Sequence, residues 1–138
     1  MNIGGWLRDQ PKTGKEPPMS KIKATALLEK TREVARKNPD FVYTDEFPGR
    51  PCKYALDGKP ACIVGHALHE LGMDLTIITK EEEYWSEGGI SASGLFSNLK
   101  DHFENDDDWV LGLLDEIQTN QDIGARWAEA AGIEGEEN

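Results

Sequence analysis

CKYALDGKPACIVGHALHELG, residues 52–72, holds both cysteines and two of the three histidines of the chain, spaced Cys-x9-Cys-x3-His-x2-His. Asp57-Gly58 suits the positive-φ positions of a tight turn, so Cys52–Leu56 and Lys59–Cys62 are expected to pair as a small β-hairpin. Pro60 suits the first turn of a helix that follows, which keeps the second strand short. From about Ala61 the pattern becomes helical and stops at Gly72, a natural residue just past a helix end. At about 100° per residue, Cys62, His66 and His69 fall within roughly 60° of one another. Ile63, Val64, Ala67, Leu68 and Leu71 occupy the opposite side. A hairpin running into an amphipathic helix is the nucleus of the expected fold, and the Cys/His stripe is its first candidate site.

Outward from this segment the signals are mostly helical. Ser20 is a candidate N-cap for a helix over residues 21–37, with Ala24, Leu27, Leu28, Thr31, Val34 and Ala35 as its buried stripe. Asn38-Pro39 ends it. Phe41-Val42-Tyr43 reads as a strand. Asp74 caps a short turn through Ile78, and KEEEYWSEGG (80–89) reads as a polar loop. Ser91 or Ser93 caps a helix carrying Leu95, Phe96, Leu99 and Phe103. A further helix carries Trp109, Val110, Leu113, Leu114 and Ile117 and ends near Asp122, with Gly124 beyond it. A last short helix holds Trp127, Ala130 and Ala131. The expected fold class is mainly α, a small single-domain helical fold with a minor β-hairpin. Residues 1–19 form an N-terminal arm, 20–132 the domain and 133–138 an acidic tail.

With 138 residues, one core of ordinary size is expected. Twenty-six acidic against fifteen basic residues give a net charge of −11. That charge disfavours direct binding to nucleic acid, which needs a basic surface, and steers the protein toward basic partners. No apolar run reaches membrane-span length and none near Met1 reads as a signal segment, so a cytoplasmic protein with reduced thiols is expected.

Residues 52–72 resemble a motif of small, uncharacterised proteins of actinobacteria and their phages. In them Cys-x-Tyr precedes a Gly turn, followed by Pro-x-Cys-Ile-Val-Gly and a Leu-x-x-Leu-Gly helix end. Here the matching residues are Cys52, Tyr54, Gly58, Pro60, Cys62, Ile63, Val64, Gly65, Leu68, Leu71 and Gly72. A second segment, Gln118, Gln121, Asp122, Gly124 and Trp127, matches a Gln-x-x-Gln-Asp-x-Gly-x-x-Trp pattern. The resemblance spans about half of the chain and implies origin rather than chemistry, because the family carries no established activity. It implies an accessory protein in the cytoplasm, the host's if the chain is phage-encoded.

Four chemistries compete for the candidate residues. Cys52, Cys62, His66 and His69 are the donor set of a structural zinc site, although Cys-x9-Cys and His-x2-His differ from the usual spacings. Against this, buried cysteines act as small hydrophobes, and no cofactor is then expected. Cys62 near a helix N-terminus with His66 one turn on is a candidate nucleophile, but no orienting group or oxyanion hole accompanies it. The acidic runs Glu81, Glu82, Glu83 and Asp106, Asp107, Asp108 are candidate contacts for a basic protein, or an imitation of DNA charge, set against the plainer reading of helix N-terminal bias and a solvated loop. Trp6, with Ile3 and Leu7, resembles a peptide anchor, and Trp85 beside Tyr84 is expected to dock on the domain, while Trp109 and Trp127 are expected in the core. The function expected is that of a non-enzymatic acidic accessory or regulatory protein, a phage factor acting on a host protein. It would bind through Trp6, His66, His69 and the acidic runs, without membrane or direct nucleic-acid contact. A zinc-stabilised Cys2His2 module and an acidic DNA mimic are the alternatives.

Overall fold

The computed structural model describes residues 21–46, 53–56, 58–85 and 90–133. In chain order the elements are β1 (Ile22–Lys23), α1 (Ala24–Lys37), α2 (Tyr43–Glu46), β2 (Ala55–Leu56), β3 (Lys59–Pro60), α3 (Ile63–Glu70), α4 (Leu75–Trp85), α5 (Ala92–Asn98), β4 (Phe103–Glu104), α6 (Asp108–Asp122) and α7 (Trp127–Ala130). The fold is mainly α with a small antiparallel hairpin. α1 packs chiefly on α3 and α6, and every helix contributes to one hydrophobic core.

The hairpin pairs Ala55 with Pro60 and Leu56 with Lys59, and Gly58 turns it at φ 76°. Backbone bonds from Ala61 N to Tyr54 O and Cys62 N to Lys53 O carry the pairing into the start of α3. Gly65 then lies so close to the hairpin that an added Cβ would sit 1.9 Å from the Tyr54 carbonyl oxygen. Only glycine fits there. α3 ends at Gly72, at φ 90°, as its sequence implies. The α1 stripe is buried at all six expected positions.

Helix N-termini leave backbone N–H groups without intrahelical partners, and in this fold remote residues satisfy several of them. α1 starts after Lys23, which offers no side-chain cap; Asp106, 81 residues away, accepts from Thr25 N and from its hydroxyl. α3 has its own cap in Cys62, while Gln121 Oε1 accepts from Ile63 N at 2.8 Å. α5 has Ser91, with Gln118 Oε1 on Ala92 N and Asp115 on Ser93 N and Oγ. α7 is capped by backbone carbonyls, Phe41 O on Trp127 N and Pro39 O on Ala128 N.

That last arrangement explains one departure from the sequence expectation. Residues 41–43 do not form a strand: Val42 makes a single bridge with Arg126, and Tyr43 opens α2. The extended piece serves as a cap for α7, with no longer neighbour to pair along. The expected polar loop 80–89 is helical through Trp85, because Leu75, Ile78 and Glu82 are all buried at helical spacing. A buried glutamate disguises that stripe. α5 stops at Asn98, short of Phe103, and Phe103 instead joins β4, parallel to β1. Trp109 is 75% exposed and outside the core, whereas Trp127 is 1% exposed within it. Ile133, assigned to the tail from sequence, is buried and donates its N–H to Ala128 O.

Candidate functional site

The Cys/His stripe does not form one surface. Cys62 is fully buried, and its Sγ accepts the Gly65 N–H at 3.4 Å as the N-cap of α3. His66 is half-buried, edge-on to Trp127 with ring centroids 5.4 Å apart, and Trp127 packs on Phe41 at 4.4 Å. Burial holds the His66 imidazole below its ordinary pKa, helped by the nearby His69 and opposed by Glu70. His69 is exposed one turn on. Among the described residues no three His, Cys, Asp or Glu side chains gather as a metal site. Cys52 and Trp6 lie outside the described residues, as does the side chain of Trp85. A buried thiol engaged in capping is also shielded from any substrate, which counts against Cys62 as a nucleophile.

The first acidic run divides by role. Glu83 is exposed and Glu81 half-buried, but Glu82 is 3% exposed. Its Oε2 accepts from Tyr54 N at 2.8 Å and its Oε1 from Ala55 N at 3.4 Å. Burial pushes the Glu82 carboxyl above its ordinary pKa, opposed by those two N–H groups and by Lys53. Glu82 therefore anchors the hairpin to α4 and is no contact for a partner. The expectation of a solvated acidic loop is corrected at this residue.

The second run caps helices. Asp106 serves α1, and its carboxyl is held below the ordinary range first by the Thr25 hydroxyl. Asp107 is the N-cap of α6, accepting from Trp109 N at 3.0 Å and Val110 N at 3.3 Å. Asp108 accepts from the Asn105 carboxamide. All three side chains stay exposed, so the run presents negative charge while each carboxylate holds local structure.

Trp109 follows directly. The buried residues of α6 are Val110, Leu111, Leu114, Ile117, Gln118 and Gln121. At about 100° per residue Trp109 points to the far side of that stripe, in line with Leu113, Glu116 and Asn120 within roughly 60°. This line of side chains leads from the exposed indole into a cleft of about 220 Å³ between α6, α1 and α7, lined by Leu113, Glu116, Ile117, Asn120, Arg32 and Glu129 among others. Of the candidates named from sequence, the structure brings Asp106, Asp107 and Asp108 together with Trp109, and separates Cys62 from His69. The Trp109 surface was missed from sequence although its signal was present, since the α6 apolar positions centre about 140° from it.

No protein-family model, curated protein or solved structure matches the chain. Among the described residues no helix is long and apolar enough to cross a membrane.

Proposed function

We propose that the protein is a non-catalytic, acidic accessory module that binds a basic protein through the exposed face of α6. The observation that carries this reading is Trp109, 75% exposed in the first turn of α6 beside Asp106, Asp107 and Asp108. An indole left in water at a rigid helix end, while Trp127 is enclosed, fits an aromatic anchor for a partner. The charge of −11 adds steering toward a basic surface. The resemblance to actinobacterial and phage proteins supports reading the module as a phage factor and its partner as a protein of the host. Capping by Asp106 and Asp107 does not support an imitation of DNA phosphates, because those carboxylates are oriented by the helices they cap.

The test compares wild-type protein with Trp109→Ala, each immobilised and exposed to host lysate at low and high salt. The expected result is a protein retained by the wild type, weakened by salt and lost by Trp109→Ala. Equal retention by the variant would remove α6 as the contact.

A further inference from the structure

Arg32 stands on α1 in the wall of the cleft at the far end of the Trp109 line. It is half-buried, and its Nε is cut off from solvent with no hydrogen-bond acceptor among the described residues. By contrast, Lys30 pairs with Glu33, Lys37 with Glu70 and Arg126 with Asp40. Glu116 and Glu129 line the same cleft and are exposed, yet neither forms an ion pair with Arg32 among the described residues. The cleft thus offers an unmet buried donor in its wall, the Asn120 carboxamide beside it and an apolar floor at Leu113 and Ile117. Two carboxylates stand at its rim.

Each group selects one feature of a ligand. The Arg32 Nε–H lacks an acceptor among the described residues, and a peptide backbone presents a carbonyl oxygen at every residue. Asn120 can both donate to and accept from such a backbone. Glu116 and Glu129 select cationic side chains, and the floor takes an apolar one. Trp109 lies 11 residues before Asn120, or about 16 Å along the helix, which about five residues of extended chain span. Its ring face is suited to a further cation.

We infer that this cleft and the Trp109 stripe form one groove for an extended, cationic peptide segment of the partner, with apolar residues between its basic ones. The inference rests on the protein-binding reading above. Charge complementarity fixes the occupant: carboxylates at the rim and an acidic run beside Trp109 favour a cationic segment and exclude an acidic one.

The experiment uses the full chain labelled with nitrogen-15 and three short synthetic peptides with blocked ends, alternating Leu-Arg, Leu-Glu and Gly-Arg. The Leu-Arg peptide is expected to shift the Arg32 Nε–H signal, the amides of Leu113 and Asn120, and the Trp109 indole together. Glu116→Lys combined with Glu129→Lys, both at exposed positions, is expected to weaken that binding about tenfold or more. Gly-Arg should bind more weakly than Leu-Arg, for want of apolar contact. If the Trp109 indole shifts while Arg32 and the cleft amides stay still, the groove is wrong and the protein-binding reading stands. If Leu-Glu binds the cleft as well as Leu-Arg, Arg32 is an anion site and the inference is overturned. If no signal moves, the groove is overturned, and the protein-binding reading is then decided separately by the Trp109→Ala capture.

Discussion

At the scale of single residues, two glycines mark opposite limits of tolerance. Gly65 has the Tyr54 carbonyl oxygen where a Cβ would go, at 1.9 Å, and the obstacle is backbone that cannot turn aside. Gly112, inside α6, has nothing within 4 Å. Gly65→Ala should therefore cost about 3 kcal/mol or more, the upper end of overpacking penalties. Gly112→Ala should stabilise by about 0.5–1 kcal/mol, because alanine restricts the unfolded chain and suits the helix. Chemical denaturation of both variants checks the pair. Glu82 supplies a pH test. Burial raises its folded pKa above the unfolded value of 4.5, so the stability linked to this group is present below that value and is lost as pH rises through the folded pKa. Glu82→Gln stays neutral throughout. The stability difference between variant and wild type should move in the variant's favour as pH rises from 4.5 through the folded pKa, and parallel pH curves would contradict the assignment.

At the scale of elements, α6 organises the others. Asp115, Gln118 and Gln121 recur every three residues along one side and reach the first turns of α5 and α3. Gln118 and Gln121 are buried, so truncating either leaves an N–H without acceptor in the interior. Gln121→Ala and Gln118→Ala should each cost about 1–3 kcal/mol, measurable by thermal or denaturant unfolding. Asp106→Ala acts on α1 from solvent and should cost less than either. The residues of the Gln-x-x-Gln-Asp-x-Gly-x-x-Trp segment take structural positions here: two remote caps, Asp122 bonded to the Gln121 carboxamide, Gly124 at φ 104°, and buried Trp127.

The same device sets what the sequence could reveal. The α1 stripe, the Gly58 turn, the Gly72 and Gly124 stops, and the Ser91 cap are local features, readable from neighbours within a few positions. Glu82 was hidden because a carboxylate in a core makes sense only beside the hairpin N–H groups it accepts from, 27 and 28 residues away. Phe41–Tyr43 has the residues of a strand, but a strand needs a neighbour; here the Phe41 carbonyl accepts from Trp127 N of α7 and the Val42 carbonyl from Asp45 N. Phe103 has helical spacing to Leu99 and Phe96, and its pairing with Ile22 across the chain decides otherwise.

At the scale of the whole molecule, apolar surface and charge are unevenly placed. Trp109, Tyr84 and Ile123 are the large apolar side chains exposed among the described residues, and Trp109 alone of these directly follows the acidic run at residues 106–108. Trp109→Ala should leave unfolding within about 0.5 kcal/mol of wild type, as for surface changes in general, while lowering affinity for the partner by about 2 kcal/mol or more, the scale of an aromatic anchor. A large loss of stability would mean that the indole packs on the domain after all. The site was legible from sequence only in part. The acidic run is plain in the composition, but its capping geometry and the Trp109 line depend on which way α6 rolls against α1 and α3.

The most direct measurement is hydrogen–deuterium exchange of the protein alone and in complex with its captured partner. The account predicts new protection across α6 from Asp108 to Asn120 and along the facing turn of α1 at Arg32. Protection confined to the His66–His69 face of α3, with α6 exchanging as in the free protein, would contradict it.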